Sequence, residues 1–280
     1  MKNYVKTAVL LGGIGGLLIV LGGVFGGSGG AVIGLLVGLG IVGFSYWNSD
    51  KLAIRAAKAV PANEAEMPEY FAIMRDLAQR ADMPMPKLYV SPEMQPNAFA
   101  TGRNPEHAAV AVTQGILRVL TWDELRGVLA HELSHVKNRD ILISSVAAAV
   151  AMGITLLAMF ARFAAFFGGR GNDREGTNPI ALLAMAILAP LAAGILQAAL
   201  SRTREFEADA SGKALIGDGA PLAQALAKIE SAARQVPMDI DPAHAQAYIV
   251  NPLTGRKVQF ANLFRTHPPT EQRIQRLMGS

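Results

Sequence analysis

No cysteine occurs among the 280 residues of this chain. Disulfide bonds and thiolate metal ligands are thereby excluded, so a bound metal would have to be held by histidine, aspartate or glutamate. Charge is thin as well: 17% of the residues are charged against 51% that are apolar. The apolar residues are not dispersed as a globular core requires. From Lys6 to Asp50 the chain runs for 43 residues without a charge. The net charge of +4 is modest, and the basic residues flank the uncharged blocks. This places them beside lipid headgroups and argues against a nucleic-acid partner.

A membrane span takes about 20 apolar residues, so the first block fits two helices joined at the glycine-rich stretch Gly26 to Gly30. Its length, the want of a small-residue cleavage site and the immediate second span argue against a cleaved signal peptide. Glycines four apart, such as Gly12 with Gly16 and Gly30 with Gly34, suit close helix packing in lipid, although glycine is common in spans in any case. Two further uncharged blocks, Ile141 to Ala161 and Thr177 to Ser201, form a second hairpin across the short polar segment Gly168 to Asn178. Pro190 interrupts the last block, which membrane helices tolerate. Lys2, Lys6, Lys51, Arg55, Lys58, Lys137, Arg139, Arg202 and Arg204 fall on one side of these four spans, and Arg170 and Arg174 on the other. The excess of basic residues predicts that the polar parts are cytoplasmic, in a multi-pass protein of a bacterial inner membrane.

The remaining segments read as ordinary folded protein. Asn63 to Ala81 is expected to be a helix, with Asn63 and Glu66 as its capping box. Lys87 to Val90 and Ala108 to Val112 read as short strands, and Ser91 to Gly102 as the loop between them. Thr121 and Glu124 form a second capping box and open a helix through Leu125, Val128, Leu129, Leu133 and Val136. The part after Ser201 reads as mainly helical, with an irregular proline-containing stretch from Val236 to Pro269.

The second capped helix carries His131-Glu132-Leu133-Ser134-His135. Two histidines four apart lie one turn apart on one face and can share a zinc ion, with Glu132 beside that face as general base. A catalytic zinc takes three protein ligands and keeps one position open. Downstream, in Ser201-Arg-Thr-Arg-Glu-Phe-Glu-Ala-Asp, Glu205 and Asp209 share a helix face and Glu207 does not. Glu205 is a candidate ligand, with Asp209 accepting a hydrogen bond from a ligand histidine. Spacing alone slightly favours the other reading of this stretch, a solvated helix end.

Four features in this order resemble the HtpX and CAAX-prenyl-protease family of integral-membrane zinc peptidases. They are Pro96-Asn-Ala-Phe-Ala, the helix from His131, Ser201-Arg-x-x-Glu-Phe-x-Ala-Asp, and His267-Pro268-Pro269. Chain length and the hairpin between the two ligand helices are similar to HtpX. The resemblance implies one zinc per chain on His131, His135 and Glu205, Glu132 as base and Asp209 as support. It also implies a gluzincin-type fold, and polypeptide substrates that are misfolded or damaged membrane proteins.

Asn97, Ala98, Phe99 and Ala100 would then offer an extended segment on which a substrate backbone can pair as an added strand; without the resemblance they read equally as a loop. His267 has three readings: an oxyanion donor, an occupant of the open metal position, or a turn residue before two prolines. His107 and His244 stand in no motif and read as surface residues.

The sequence therefore predicts a mainly α membrane protein with four transmembrane helices and a helical protease part with a small β-sheet. Its segments are a hairpin over 1–50, protease part over 51–140, a second hairpin over 141–201 and protease part over 202–280. At 1.5 Å per residue, His135 and Glu205 lie within about 10 Å of the membrane boundary. The rival reading is a non-proteolytic membrane scaffold with a structural zinc, for which Glu132 has no use.

Overall fold

A computed structural model describes residues 46–141, 202–235 and 268–279, with scattered positions between 28 and 44. No helix among the described residues is long and apolar enough to cross a membrane. The blocks read as spans (7–49, 141–161 and 177–201) lie outside these residues, apart from the scattered helical positions, the chain just before Asp50 and Ile141. His244 and His267 lie outside them too.

Helix α1 (Ser49–Ala56) leads into a four-stranded sheet of β1 (Val60–Pro61), β2 (Lys87–Ser91), β3 (Ala98–Gly102) and β4 (Ala108–Thr113), in the order β1-β2-β4-β3. β2 and β4 run parallel, and β1 and β3 pair antiparallel at the two edges. Helix α2 (Pro68–Arg80) connects β1 to β2. After β4 come α3 (Gln114–Val119), α4 (Trp122–Lys137), α5 (Arg202–Ile216), α6 (Ala220–Gln235) and α7 (Thr270–Met278).

The central strand β4, Ala108-Ala-Val-Ala-Val-Thr113, is buried at every position. Both of its faces are covered, which is why it reads as a continuous apolar run and does not alternate. Val110 and Val112, with Leu88 and Ala98, face the main core against Tyr70, Met74 and Leu77 of α2 and Leu129 and Leu133 of α4. Ala109 and Ala111 face the other way, where Ile54 of α1 packs with Tyr89 and Phe99. The sheet is thus a layer between α1 and the helical bundle. Tyr70 donates its hydroxyl hydrogen to Val110 O at 3.2 Å, and burial pushes its pKa upward.

Two expectations need correction. α2 begins at Pro68 and not at Asn63. Asn63 Oδ1 accepts from Ala65 N–H at 3.0 Å and its amide donates to Glu66 at 3.1 Å, closing a separate turn. Proline suits the first helical position because its missing N–H has no helical partner there. The stretch Ser91 to Gly102 is not all loop, since its last five residues form edge strand β3. β3 turns into β4 through Gly102, whose φ of +132° suits only glycine and whose hypothetical Cβ would meet His107 O.

The capping box of α4 forms as expected. Glu124 N–H donates to Thr121 Oγ1 at 3.3 Å and Thr121 N–H to Glu124 Oε2 at 2.9 Å. Such a cap stabilises a helix by about 1 kcal/mol. α4 is the hub of the fold, packed against α2, α5, α6 and β3. It approaches α6 closely at Gly127, where a Cβ would come within 2.5 Å of Leu222 N.

Candidate metal centre

α4 buries the face carrying Val128, His131, Glu132 and His135 toward α5 and β3. α5 answers with Glu205, Ala208, Asp209 and Gly212, a stripe at three- and four-residue spacing. Gly212 allows the approach, because a Cβ there would lie 3.0 Å from His131 N. Glu207 is exposed on the far side.

His131, His135 and Glu205 converge so that one ligand atom from each lies within 4.8 Å of the others. The two Nε2 atoms are 3.2 Å apart. Glu205 Oε1 is 3.4 Å from His135 Nε2, and Oε2 is 3.8 Å from His131 Nε2. A tetrahedral ion bound at 2.0–2.1 Å separates its ligand atoms by about 3.3 Å. The spacing therefore fits one such ion with little adjustment.

The other ring nitrogens meet carboxylates. His131 Nδ1 lies 2.9 Å from Asp209 Oδ1, and His135 Nδ1 lies 3.2 Å from Asp140 Oδ2. With the Nδ1 proton held there, Nε2 of each ring is left as a lone-pair donor toward the cluster. Asp140 was not picked out by sequence spacing as a partner of His135. Arg139, at φ +59°, turns the chain past the end of α4 and brings Asp140 back beneath the ring.

Arg273 of α7 is the second residue the sequence reading missed. Its side chain is 1% exposed. Nη2 and Nε donate to Asp209 at 2.6 and 2.8 Å. Nη2 is also 3.4 Å from both ring nitrogens of His131, which fits a guanidinium lying over the ring more than an in-plane bond. The available signal was a charge on the apolar side of a short helix, beside Ile274 and one turn before Leu277.

The charges of this buried cluster do not cancel. Glu132, Asp140, Glu205 and Asp209 bring four negative charges, and Arg204 and Arg273 bring two positive ones. The remaining two negative charges match a divalent cation. Burial would raise the Asp209 carboxyl, but hydrogen bonds from Arg273 and His131 outweigh it and hold its pKa at about 2. Burial would lower His135, yet Asp140, Glu205 and Glu132 push it up to about 10. Without a metal, the site attracts a proton in its place. The nitrogen–carboxylate donor set fits zinc, and the cluster has no softer ligand among the described residues.

Glu132 is 7% exposed, and its Oε2 accepts the Ala100 N–H at 2.9 Å. The general-base candidate is thereby joined to edge strand β3, which contains Ala98, Phe99 and Ala100. Asn97 lies just before β3 and bonds inward, its N–H donating to Thr113 Oγ1 at 2.9 Å. His107 is exposed, with Nδ1 2.7 Å from Asn104 Oδ1, and takes no part in the cluster.

A histidine pair on one helix, a buried glutamate from the next and a second glutamate at a strand edge define a metalloprotease. Comparison with known proteins gives the particular family: the description of peptidase family M48 matches residues 64–280, and the chain belongs to that family. It is 54% identical to proteins named Protease HtpX homolog from Burkholderia mallei (strain SAVP1) and Burkholderia pseudomallei (strain K96243), covering 99% of this chain and 97% of each relative. The crystal structure of S. mikatae Ste24p has a similar fold, with a TM-score of 0.54 at 20% identity, covering 99% of this chain and 66% of that one.

Proposed function

We propose that the protein is a membrane-bound zinc endopeptidase that cleaves misfolded or damaged membrane proteins on the cytoplasmic side of a bacterial inner membrane. The observation that carries the catalytic part is the placement of Glu132, which joins the ligand cluster to an edge strand. His131, His135 and Glu205 would hold the zinc. When bound, the ion would supply Lewis acidity to the scissile carbonyl and lower the pKa of a water molecule. Glu132 takes a proton from the attacking water on its carboxylate and delivers it to the leaving amine nitrogen. Asp209 and Asp140 hold the Nδ1 protons and so keep both imidazoles oriented.

Asn97, Ala98, Phe99 and Ala100 are assigned to substrate binding. Backbone pairing along β3 reads extended conformation and not side-chain identity, as an enzyme acting on damaged proteins requires. His267 is assigned as the donor to the developing oxyanion.

Residues 1–50 and 141–201 serve as the two membrane hairpins, around protease parts 51–140 and 202–280. Val32, Ile33, Leu36, Leu39 and Phe44 are helical and exposed, which suits lipid contact. A scaffold with a structural zinc is the weaker reading, since it gives a buried Glu132 nothing to do.

The test is cleavage of an unfolded model polypeptide by the purified full chain, with zinc added or chelated. Glu132→Gln should keep its zinc and lose at least about 100-fold in turnover. Turnover close to wild type in that variant would end the protease reading.

A further inference from the structure

The helical chain just before Asp50 runs on into α1 and is fastened to β3. Asn48 N–H donates to Phe44 O at 3.0 Å and Leu52 N–H to Asn48 O at 2.9 Å, carrying the helical hydrogen bonds across into α1. Three contacts then tie this helix to the sheet edge. Thr101 Oγ1 donates to Ser49 O at 3.3 Å in a buried position. Arg103 donates from Nη1 to Trp47 O at 3.3 Å, and its guanidinium lies 5.0 Å from the centre of the Trp47 ring. Ile54 packs beneath, on Ala109, Ala111 and Phe99.

Among the described residues β3 has β4 on one side only. In an antiparallel edge strand, alternate residues direct N–H and C=O outward. Ala100 is one of them, since its N–H reaches Glu132. Thr101 follows it, and Arg103 follows the end of the strand. The contacts that hold Thr101 and Arg103 therefore set where the Ala100 N–H stands relative to Glu132.

We infer that Trp47 and Ser49, through Arg103 and Thr101, position the substrate strand β3, which makes the N-terminal hairpin a working part of the active site and not only an anchor. The inference rests on the reading of β3 as the strand that pairs with substrate. It gives Trp47, Ser49, Thr101 and Arg103 the role of positioning residues, acting through Ala100 on Glu132.

The experiment uses the full chain in detergent or bilayers, with two readouts. One is hydrogen exchange at the β3 amides. The other is the gain in kcat/KM as an extended peptide is lengthened along the strand. The double variant Thr101→Val, Arg103→Ala should exchange the β3 amides on the order of 10-fold faster. It should also lose the length-dependent gain through KM, with metal content unchanged. Arg103→Lys, which keeps a cation over Trp47, should restore most of both. Unchanged exchange with an unchanged gain would overturn the inference, and so would faster exchange spread equally through α4. Ala100→Pro separates the underlying reading: it removes the outward N–H that Glu132 accepts here, and because the length gain is a ratio of kcat/KM values, a uniform loss of turnover through Glu132 cancels from it. If Ala100→Pro leaves the length gain intact, β3 does not bind substrate. If Ala100→Pro abolishes the gain while the double variant keeps it, β3 binds substrate without the helix's help.

Discussion

The guanidinium of Arg273 grips both carboxylate oxygens of Asp209 from 64 residues further along the chain. Asp209 in turn holds Nδ1 of His131. One histidine of the metal pair is thus oriented by a relay that begins in α7, an element with no ligand of its own. A bidentate bond of this kind fixes direction as well as charge.

Arg273→Lys should fail to replace it. The ammonium keeps a charge beside Asp209 but cannot make the two parallel bonds that fix the carboxylate's direction. Zinc affinity, measured by chelator competition, should fall by about 10- to 100-fold, the usual effect of losing support behind a ligand. Wild-type affinity in Arg273→Lys would show that the relay does not reach the metal.

Glu205 and Glu207 are separated by face. Glu205 is buried in the cluster and Glu207 is exposed. Glu205→Ala should lose most bound zinc in the purified protein, and Glu207→Ala should keep a full complement. Metal analysis of the two variants decides the matter, and the reverse order would mean that the register of α5 is wrong.

Acid should weaken the start of α4. Burial raises the Glu124 carboxyl, but hydrogen bonds from Lys228 and Thr121 outweigh it, so its pKa lies below the ordinary value. A group lowered on folding stabilises fully above its unfolded pKa and loses that contribution as pH falls through the folded value. The Tm of the wild type should therefore drop more steeply below about pH 4.5 than that of Glu124→Gln. Parallel curves would remove Glu124 from the account of acid stability.

The proposed topology puts Gly168 to Asn178 outside and Ser231 inside. A cysteine at Asn172 should react with an impermeant thiol reagent in intact cells, and one at Ser231 should react only after lysis. The absence of native cysteine keeps the background clean. Labelling of Ser231 alone in intact cells would invert the orientation.

The helix bearing His131, Glu132 and His135 was legible because its evidence is local: a capping box, apolar residues at helical spacing and two histidines one turn apart. Strands β2 and β4 were legible from short apolar runs. Glu205 and Asp209 could be placed on one face, but only the folded chain shows that face meeting α4. What escaped has a different physics. β3 is held by pairing with β4, and its Ala-Phe-Ala-Thr-Gly has no clear alternation. Asp140 reaches His135 through a left-handed residue that is not glycine. Arg273 finds its partner across the fold, and no local pattern names that partner.

The distance along the chain between the metal donors has a consequence for timing. Seventy residues separate His135 from Glu205. At roughly 5–20 residues per second of synthesis, both histidines exist for several seconds before the carboxylate is made. The half-site on α4 lacks its third donor throughout that interval. The cluster is therefore incomplete until Glu205 has been made, and the two histidines gain their third donor only after the whole segment between the two helices has been synthesised.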